Sequence, residues 1–260
     1  MTGTLHTQRD QPAGVPPLEL TGERTLPDVP AENYWFRRHL AVYRWIAARV
    51  QGMRVLDMAC GEGYGSAVLA HAAAGVVGVD ANPQAHEHAR LRYRLPNLRF
   101  CRGLVETFAQ EADAVVFLQT IEHLHDPAAV LEHFRALTGD HGTVFLSTPN
   151  VLTLAPKGAP RSDNPWHVHE YLASEFELLC GAHFQNVEMF GLFHARKLRA
   201  HELALRLGWD RVHQRLHLTR RFYDWFTPAI AASDFALRPA VGAGHGDLDR
   251  ALDFLAVCRS

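Results

Sequence analysis

The chain has 260 residues, 47% of them hydrophobic, 21% charged and 10% aromatic, a composition that excludes whole-chain disorder or a fibrous repeat and supplies enough apolar mass for a substantial core. The 26 Lys and Arg against 28 Asp and Glu leave a net charge of −2, so no global field draws the protein to nucleic acid or to an anionic membrane. The unusual count is 17 histidines, because an imidazole titrating at about 6.5 can serve as base, acid or metal ligand close to neutrality.

Residues 1–20 are polar and rich in Gly and Pro, and read as a mobile tail. They lack the apolar centre of a signal peptide, and no window holds the roughly 18 uninterrupted apolar residues of a membrane span. A cytoplasmic protein is expected, with Cys60, Cys101, Cys180 and Cys258 as reduced thiols, since no CxxC spacing marks zinc or redox chemistry. From Glu32 to Val50 the residues Phe36, Leu40, Tyr43, Ala47 and Val50 recur at spacings of four, three, four and three, which predicts an amphipathic helix after Pro30. Residues 21–50 thus form a flap and helix ahead of a main domain at 51–260.

Short β-type runs then alternate with helical ones: RVLDM, a helix from Tyr64, GVVGVD, a helix after Pro83, LRFC, DAVVFL, a helix after Pro127, and GTVFLS. This βαβ rhythm predicts an α/β fold with a doubly wound, mostly parallel sheet, whose ligand crevice lies at the carboxyl ends of the strands. Residues 148–170 hold four prolines and no period, and loops of this length inside a compact domain are usually functional. A helix at about 172–182 and the strand FQNVEMF follow. Residues 195–232 show helical spacing, with eight Lys or Arg between Arg196 and Arg221, and read as an inserted helical cap or dimerisation element before a last strand, LDFLAVC.

The strongest motif is VLDMACGEGYG at 55–65, an apolar strand, an acid and a glycine-rich turn directly before a helix. Gly61, Gly63 and Gly65 let the backbone turn tightly and approach a ligand. Asp80, at the tip of the next strand, is placed to accept hydrogen bonds from ribose hydroxyls. A dinucleotide fingerprint would need Gly-x-Gly-x-x-Gly over a pyrophosphate. Asp57 followed by Ala59, Cys60, Gly61 and Gly63 instead puts a carboxylate where a pyrophosphate would be repelled and an ammonium group attracted.

On these residues the chain resembles the class I S-adenosylmethionine-dependent methyltransferases over about residues 50–190. The resemblance implies a Rossmann-like, seven-stranded sheet and S-adenosylmethionine as cofactor. Asp57 to Gly63 would face its methionine part, and Asp80 with Ala81 its ribose. Ala59 stands where relatives carry the first glycine, read as a small change. Where many relatives carry an acid for the adenine amino group this chain has Leu104, so adenine falls to backbone groups near Leu104 and Val105, or to Glu106.

The fourth strand runs into QTIEHLHDP at 119–127, which turns Gln119, Thr120, Glu122 and His123 into the crevice. His123 is the candidate base for an O-methyl transfer, because an aliphatic hydroxyl needs its proton taken as its oxygen attacks. In NPWHVHEY at 164–171, Asn164 precedes a proline and is biased towards extended backbone. Alternation then sends His167 and His169 to one side, where they could bind a sugar hydroxyl or join Glu122 and His123 in a divalent-metal site.

The flanks LTGERTLPDVPAENYWFRRH at 20–39, STPN, NPWH, GLFHARKLR at 191–199, SDFAL and AGHGDLDRALDFLAV are similar to the mycobacterial sugar 1-O-methyltransferases of methylmannose polysaccharide synthesis. That resemblance implies a saccharide hydroxyl as acceptor, a homodimer, and dependence on a divalent ion such as Mg²⁺. Glu23, Tyr34, Arg37 and Arg38 are polar and aromatic groups able to fold over the crevice, Tyr34 and Arg38 meeting the cofactor, while Arg37 reads rather as an exposed arginine of an ordinary amphipathic helix. The expected function is O-methylation of a saccharide. The alternatives are a phenol- or quinone-like acceptor, or a cofactor-binding protein without catalysis.

Overall fold

The computed structural model describes residues 5–21, 24–156, 158–241 and 245–260; of the groups expected at the crevice, Glu23 lies outside them. Two short strands, β1 (Leu5–His6) and β2 (Leu18–Glu19), precede α1 (Asn33–Ala47). There follow β3 (Arg54–Met58), α2 (Tyr64–Ala70), β4 (Gly75–Asp80), α3 (Pro83–Arg92), β5 (Leu98–Arg102), β6 (Ala114–Leu118), α4 (Pro127–Thr138) and β7 (Thr143–Pro149). Beyond a one-turn helix α5 (Val151–Leu154) come α6 (Ala173–Gly181) and β8 (Asn186–His194). Then α7 (Arg196–Arg206), α8 (Trp209–Arg215) and α9 (Thr219–Phe226) lead to β9 (Phe235–Pro239) and β10 (Asp253–Arg259).

The described residues build one eight-stranded sheet in the order β5-β4-β3-β6-β7-β10-β8-β9. The pairs β5–β4, β4–β3, β3–β6 and β6–β7 are parallel, and β10 runs antiparallel between β7 and β8. This is the expected α/β doubly wound sheet with one strand more. The eighth, β9, pairs only with β8 at the edge, and its brief, half-buried FALRP run carries no alternation to announce it.

Successive residues of each strand feed opposite faces. From β3, Leu56 and Met58 enter the core under α4 and α6 with Phe134 and Phe176, while Val55 enters the core under α1 and α2 with Tyr43, Ile46 and Leu69. Local chemistry fixes the helix starts: the Asn82 side chain accepts from Ala85 N and that of Asp126 from Ala129 N, each with a proline at the first helical turn.

Chain order reverses between β3 and β6, which opens a crevice at their carboxyl ends. Residues 5–20, expected as a mobile tail, pack beside this crevice instead. Leu18 and Gln8 are buried, Gln8 Nε2 donates to Glu62 Oε1 at 2.9 Å, and a His88 ring nitrogen lies 2.7 Å from Pro16 O. Composition gave the wrong picture because the anchoring groups are few, the apolar Val15 and Leu18 and the polar Gln8. The four cysteines are free thiols. Among the described residues no helix is long and apolar enough to cross a membrane.

Candidate active site

The glycine loop after β3 turns through left-handed backbone at Ala59 (φ 57°), Gly61 (φ 56°) and Gly63 (φ 95°). A Cβ on Gly63 would lie 2.8 Å from that of Ala89, whereas one on Gly61 would meet nothing within 4 Å. Gly63 therefore seats the loop on α3, and Gly61 faces open space. Gly61 N donates to Asp80 Oδ2 at 2.8 Å, and Asn82 N to Asp80 Oδ1 at 2.8 Å, so the acid at the tip of β4 stands against the loop.

Two buried carboxylates brace the loop from below. Glu62 accepts from Gln8, from Tyr93 OH at 2.9 and 2.8 Å and from Tyr64 N at 3.0 Å, with His88 Nε2 at 3.2 Å and Arg92 Nε at 3.3 Å. Asp57 is wholly enclosed and accepts from Tyr43 OH at 3.1 Å and Ser66 Oγ at 2.6 Å. Burial pushes the Asp57 carboxyl up to about 7 even though both hydroxyls favour its ionised form. Asp57 supports the loop from inside the sheet rather than lining the crevice.

Two adjoining cavities fill the crevice. One of about 70 Å³ is bounded by Ala59, Cys60, Gly61, Leu118, Gln119 and Thr120. The other, about 340 Å³, is bounded by Trp35, Gln119, Glu122, His123, Asn164 and His167. Arg24, Thr25, His39 and Gln119 border both, so Gln119 is one of four residues between the cofactor side and the acceptor side. Its backbone is left-handed (φ 52°), and its Nε2 donates to Ser147 Oγ at 3.0 Å. A non-glycine residue held in this region at a strand end is the kind of strain found at functional sites.

On the acceptor side, Glu122 is buried, accepts from Thr148 Oγ1 at 3.2 Å, and is pushed by that burial up to about 8. His123 Nδ1 donates to Trp166 O at 3.0 Å, a bond that puts the proton on Nδ1 and the lone pair on Nε2. His167 donates from Nδ1 to Glu170 Oε1 at 2.7 Å and lies with Nε2 2.9 Å from the Asn164 amide. Burial acts to raise Glu170, but hydrogen bonds from Ser162 and His167 outweigh it and hold the carboxyl below its usual range. Glu122, His123 and His167 each offer a ligand atom, all within 4.8 Å of one another.

Besides Asp57, three expected site residues lie elsewhere. Tyr34 bonds through OH to His194 Nε2 at 2.8 Å, and Arg38 is buried against Asp253. Trp35 and His39, each one position further round α1, border the crevice instead; burial holds the His39 ring down to about 4. His169 is half exposed, edge-on to Tyr171 at 4.4 Å and 3.8 Å from Glu175. The turn at Pro165–Trp166 breaks the alternation that would have paired it with His167, and Val168 N and His169 N both donate to Glu122 O. Towards the adenine side, Ala81 and Leu104 are exposed and Val105 is buried. Arg24, Thr25, Trp35, His39 and Asn164 were missed; an i, i+4 pair such as Trp35 and His39 was the available signal.

Comparison with known proteins bears on this geometry. A family model described as a methyltransferase domain matches residues 33–214. The chain is 39% identical over 267 residues to a probable S-adenosylmethionine-dependent methyltransferase of Mycobacterium tuberculosis, covering 97% of this chain and 95% of that one. The protein belongs to the class I S-adenosylmethionine-dependent methyltransferases. A ubiquinone biosynthesis O-methyltransferase of Bordetella avium is 30% identical over 168 residues, 56% of this methyltransferase and 67% of its own length. An S-adenosylmethionine-dependent methyltransferase from Mesorhizobium loti shares the fold, with a TM-score of 0.56 at 15% identity over 86% of this chain and 98% of that one.

S-adenosylmethionine is the cofactor of this family, and the crevice suits it: the space over Gly61 admits a ligand and Asp80 offers a carboxylate beside it. When bound, it supplies an electrophilic methyl group on a sulfonium.

Proposed function

We propose that this methyltransferase acts on a hydroxyl of a saccharide, with His123 as the base. The observation that carries the reading is the contact of His123 Nδ1 with Trp166 O at 3.0 Å, which in the neutral ring leaves the lone pair on Nε2, at a cavity also bordered by Glu122, Asn164, His167 and Trp35. Convergent polar groups beside one aromatic wall suit a ring that carries hydroxyls on its edge and C–H groups on its face. A sugar hydroxyl is too weakly acidic to ionise beforehand, so general-base help of about 10²- to 10⁴-fold is the gain at stake. Asp57, Glu62 and Gln119 keep the loop and the acceptor side in register, which is what an in-line transfer requires.

A divalent ion belongs to the same reading. The candidate ligands are Glu122, His123 and His167, and His169 drops out on geometry. Two imidazoles with one carboxylate suit Mn²⁺ or Zn²⁺ better than Mg²⁺, which prefers oxygen donors. His123 can give its Nε2 lone pair to a metal or to a proton, not to both at once. Activity after chelation and after return of Mn²⁺ or Mg²⁺ therefore tells which use prevails.

The alternative acceptor, a phenol- or quinone-like hydroxyl, draws support from the similarity to the ubiquinone biosynthesis O-methyltransferase. Methyl transfer from labelled S-adenosylmethionine to mono- and oligosaccharides, run beside catechols, separates the two. Turnover of catechols alone would overturn the saccharide reading. Sedimentation of the full chain checks the homodimer that belongs to the same proposal.

A further inference from the structure

The one-turn helix α5 stands between the acceptor cavity and a larger one. Leu154 borders the first, while Leu152 and Thr153 border a second of about 1050 Å³, completed by the end of β8, by α7, by β9 and by the turn before β10. Five arginines line it: Arg196, Arg199, Arg206, Arg238 and Arg250.

Arg206 is paired with Glu202. Among the described residues no carboxylate pairs with the other four, and Arg238 lies over the Phe193 ring at 5.3 Å. The acidic groups in the wall do not balance them. Glu202 is taken by Arg206 and His194, and Asp247 accepts from Val241 N at 2.8 Å. Asp249 is the remaining carboxylate. Arg196 also holds left-handed backbone (φ 44°) at the start of α7, a conformation that costs about 1 kcal/mol or more away from glycine. Like charges gathered around one space repel one another, and a bound anion removes that repulsion.

We propose that this cavity binds a phosphoryl or diphosphoryl group carried by the methyl acceptor. Guanidinium groups match phosphate oxygens in a two-pronged geometry and stay charged at any physiological pH. The cavity lies across α5 from the one that His123 borders, so an acceptor with its hydroxyl at the base would have to reach past α5 to set its anionic end among the arginines. The inference rests on the saccharide reading for the identity of the acceptor, and it narrows that acceptor to a sugar phosphate or a lipid-linked saccharide diphosphate.

Calorimetric titration of the full chain with inorganic pyrophosphate, at fixed ionic strength, tests the site without any methyl transfer. Saturable binding is expected, weakened about tenfold or more in Arg196→Gln/Arg238→Gln. It should change less than about twofold in Arg211→Gln/Arg215→Gln, which removes the same charge outside the cavity, and S-adenosylhomocysteine affinity should be unchanged in both. No saturable binding at millimolar pyrophosphate, or equal loss in the two double variants, overturns the proposal. In turnover assays the first double variant should raise KM for a phosphorylated saccharide and leave that for its neutral counterpart alone. The source is whichever of the soluble and lipid-linked substrates shows the effect, and an unchanged KM for both overturns the proposal. Failure to methylate any saccharide would sink the saccharide reading, and the pyrophosphate titration would still decide the site.

Discussion

Arg38 and Asp253 form a buried ion pair that ties α1 to the first residue of β10: Arg38 Nε donates to Asp253 Oδ2 at 2.6 Å, and Nη2 reaches both Oδ1 and Leu252 O. The two side chains are 5% and 2% exposed, so removal of one partner strands the other charge away from water. Arg38→Met should cost about 3–5 kcal/mol of stability. The double variant Arg38→Met/Asp253→Leu, which strands nothing, should recover most of the loss. Urea denaturation of the two variants checks this, and a single variant within about 1 kcal/mol of wild type would show the pair to be incidental.

Ala59 is not the small change that its side chain suggests. Its φ of 57° costs about 1–2 kcal/mol for a residue with a Cβ. Ala59→Gly relieves that strain and loses roughly 0.4–1 kcal/mol to the freer unfolded chain. A net gain of about 0.5–1 kcal/mol is expected in urea denaturation. Gly65→Ala should do the reverse, because its Cβ would lie 2.1 Å from the Tyr43 ring and displace the hydroxyl that bonds Asp57. Loss of both stability and S-adenosylhomocysteine affinity is the expected result.

The parts of the site written in local sequence were legible. The strand, glycine turn and helix from Val55 to Gly65, Asp80 at its strand tip, and the QTIEH run at a strand end follow from period and turn chemistry. What escaped reading depends on phase or on distance along the chain. In YWFRRH, aromatic and basic residues occupy every position, so the helical period cannot tell the Trp35–His39 face from the Tyr34–Arg38 face. His169 was misplaced by one turn at Pro165. The Gln8–Glu62 bond joins residues 54 apart, and a polar pair at such separation leaves no periodic trace.

The buried acids make stability depend on pH in a definite direction. Asp57 ionises at about 7 in the folded chain and at about 4 when unfolded. Between those values the native state holds a proton that the unfolded state has released. The unfolding free energy therefore falls as pH rises from about 4 to about 7, by up to roughly 1 kcal/mol per pH unit, and levels off above. Glu122, pushed up to about 8, acts in the same direction. Asp57→Asn should flatten the fall. Thermal unfolding of both proteins from pH 5 to pH 8.5 measures the difference, and parallel curves would refute the assignment to Asp57.

His123 and His169 provide the sharpest test of the chemistry, because the sequence offers both to the crevice and the structure separates them. His123 borders the acceptor cavity with its tautomer set by Trp166 O, whereas His169 meets Tyr171 and Glu175 at the surface. His123→Ala should retain S-adenosylhomocysteine affinity within about twofold and lose about tenfold or more in turnover, in line with the loss of a general base. His169→Ala should change neither by more than about twofold, since an exposed contact at 3.8 Å from Glu175 contributes little. His167→Ala discriminates further. Should His167 act as a metal ligand, the variant loses its response to chelator and to added Mn²⁺; should it only hydrogen-bond the acceptor, KM rises and the metal response persists. Turnover within about twofold of wild type for His123→Ala would remove His123 as the base and shift the proton to another group in the same cavity.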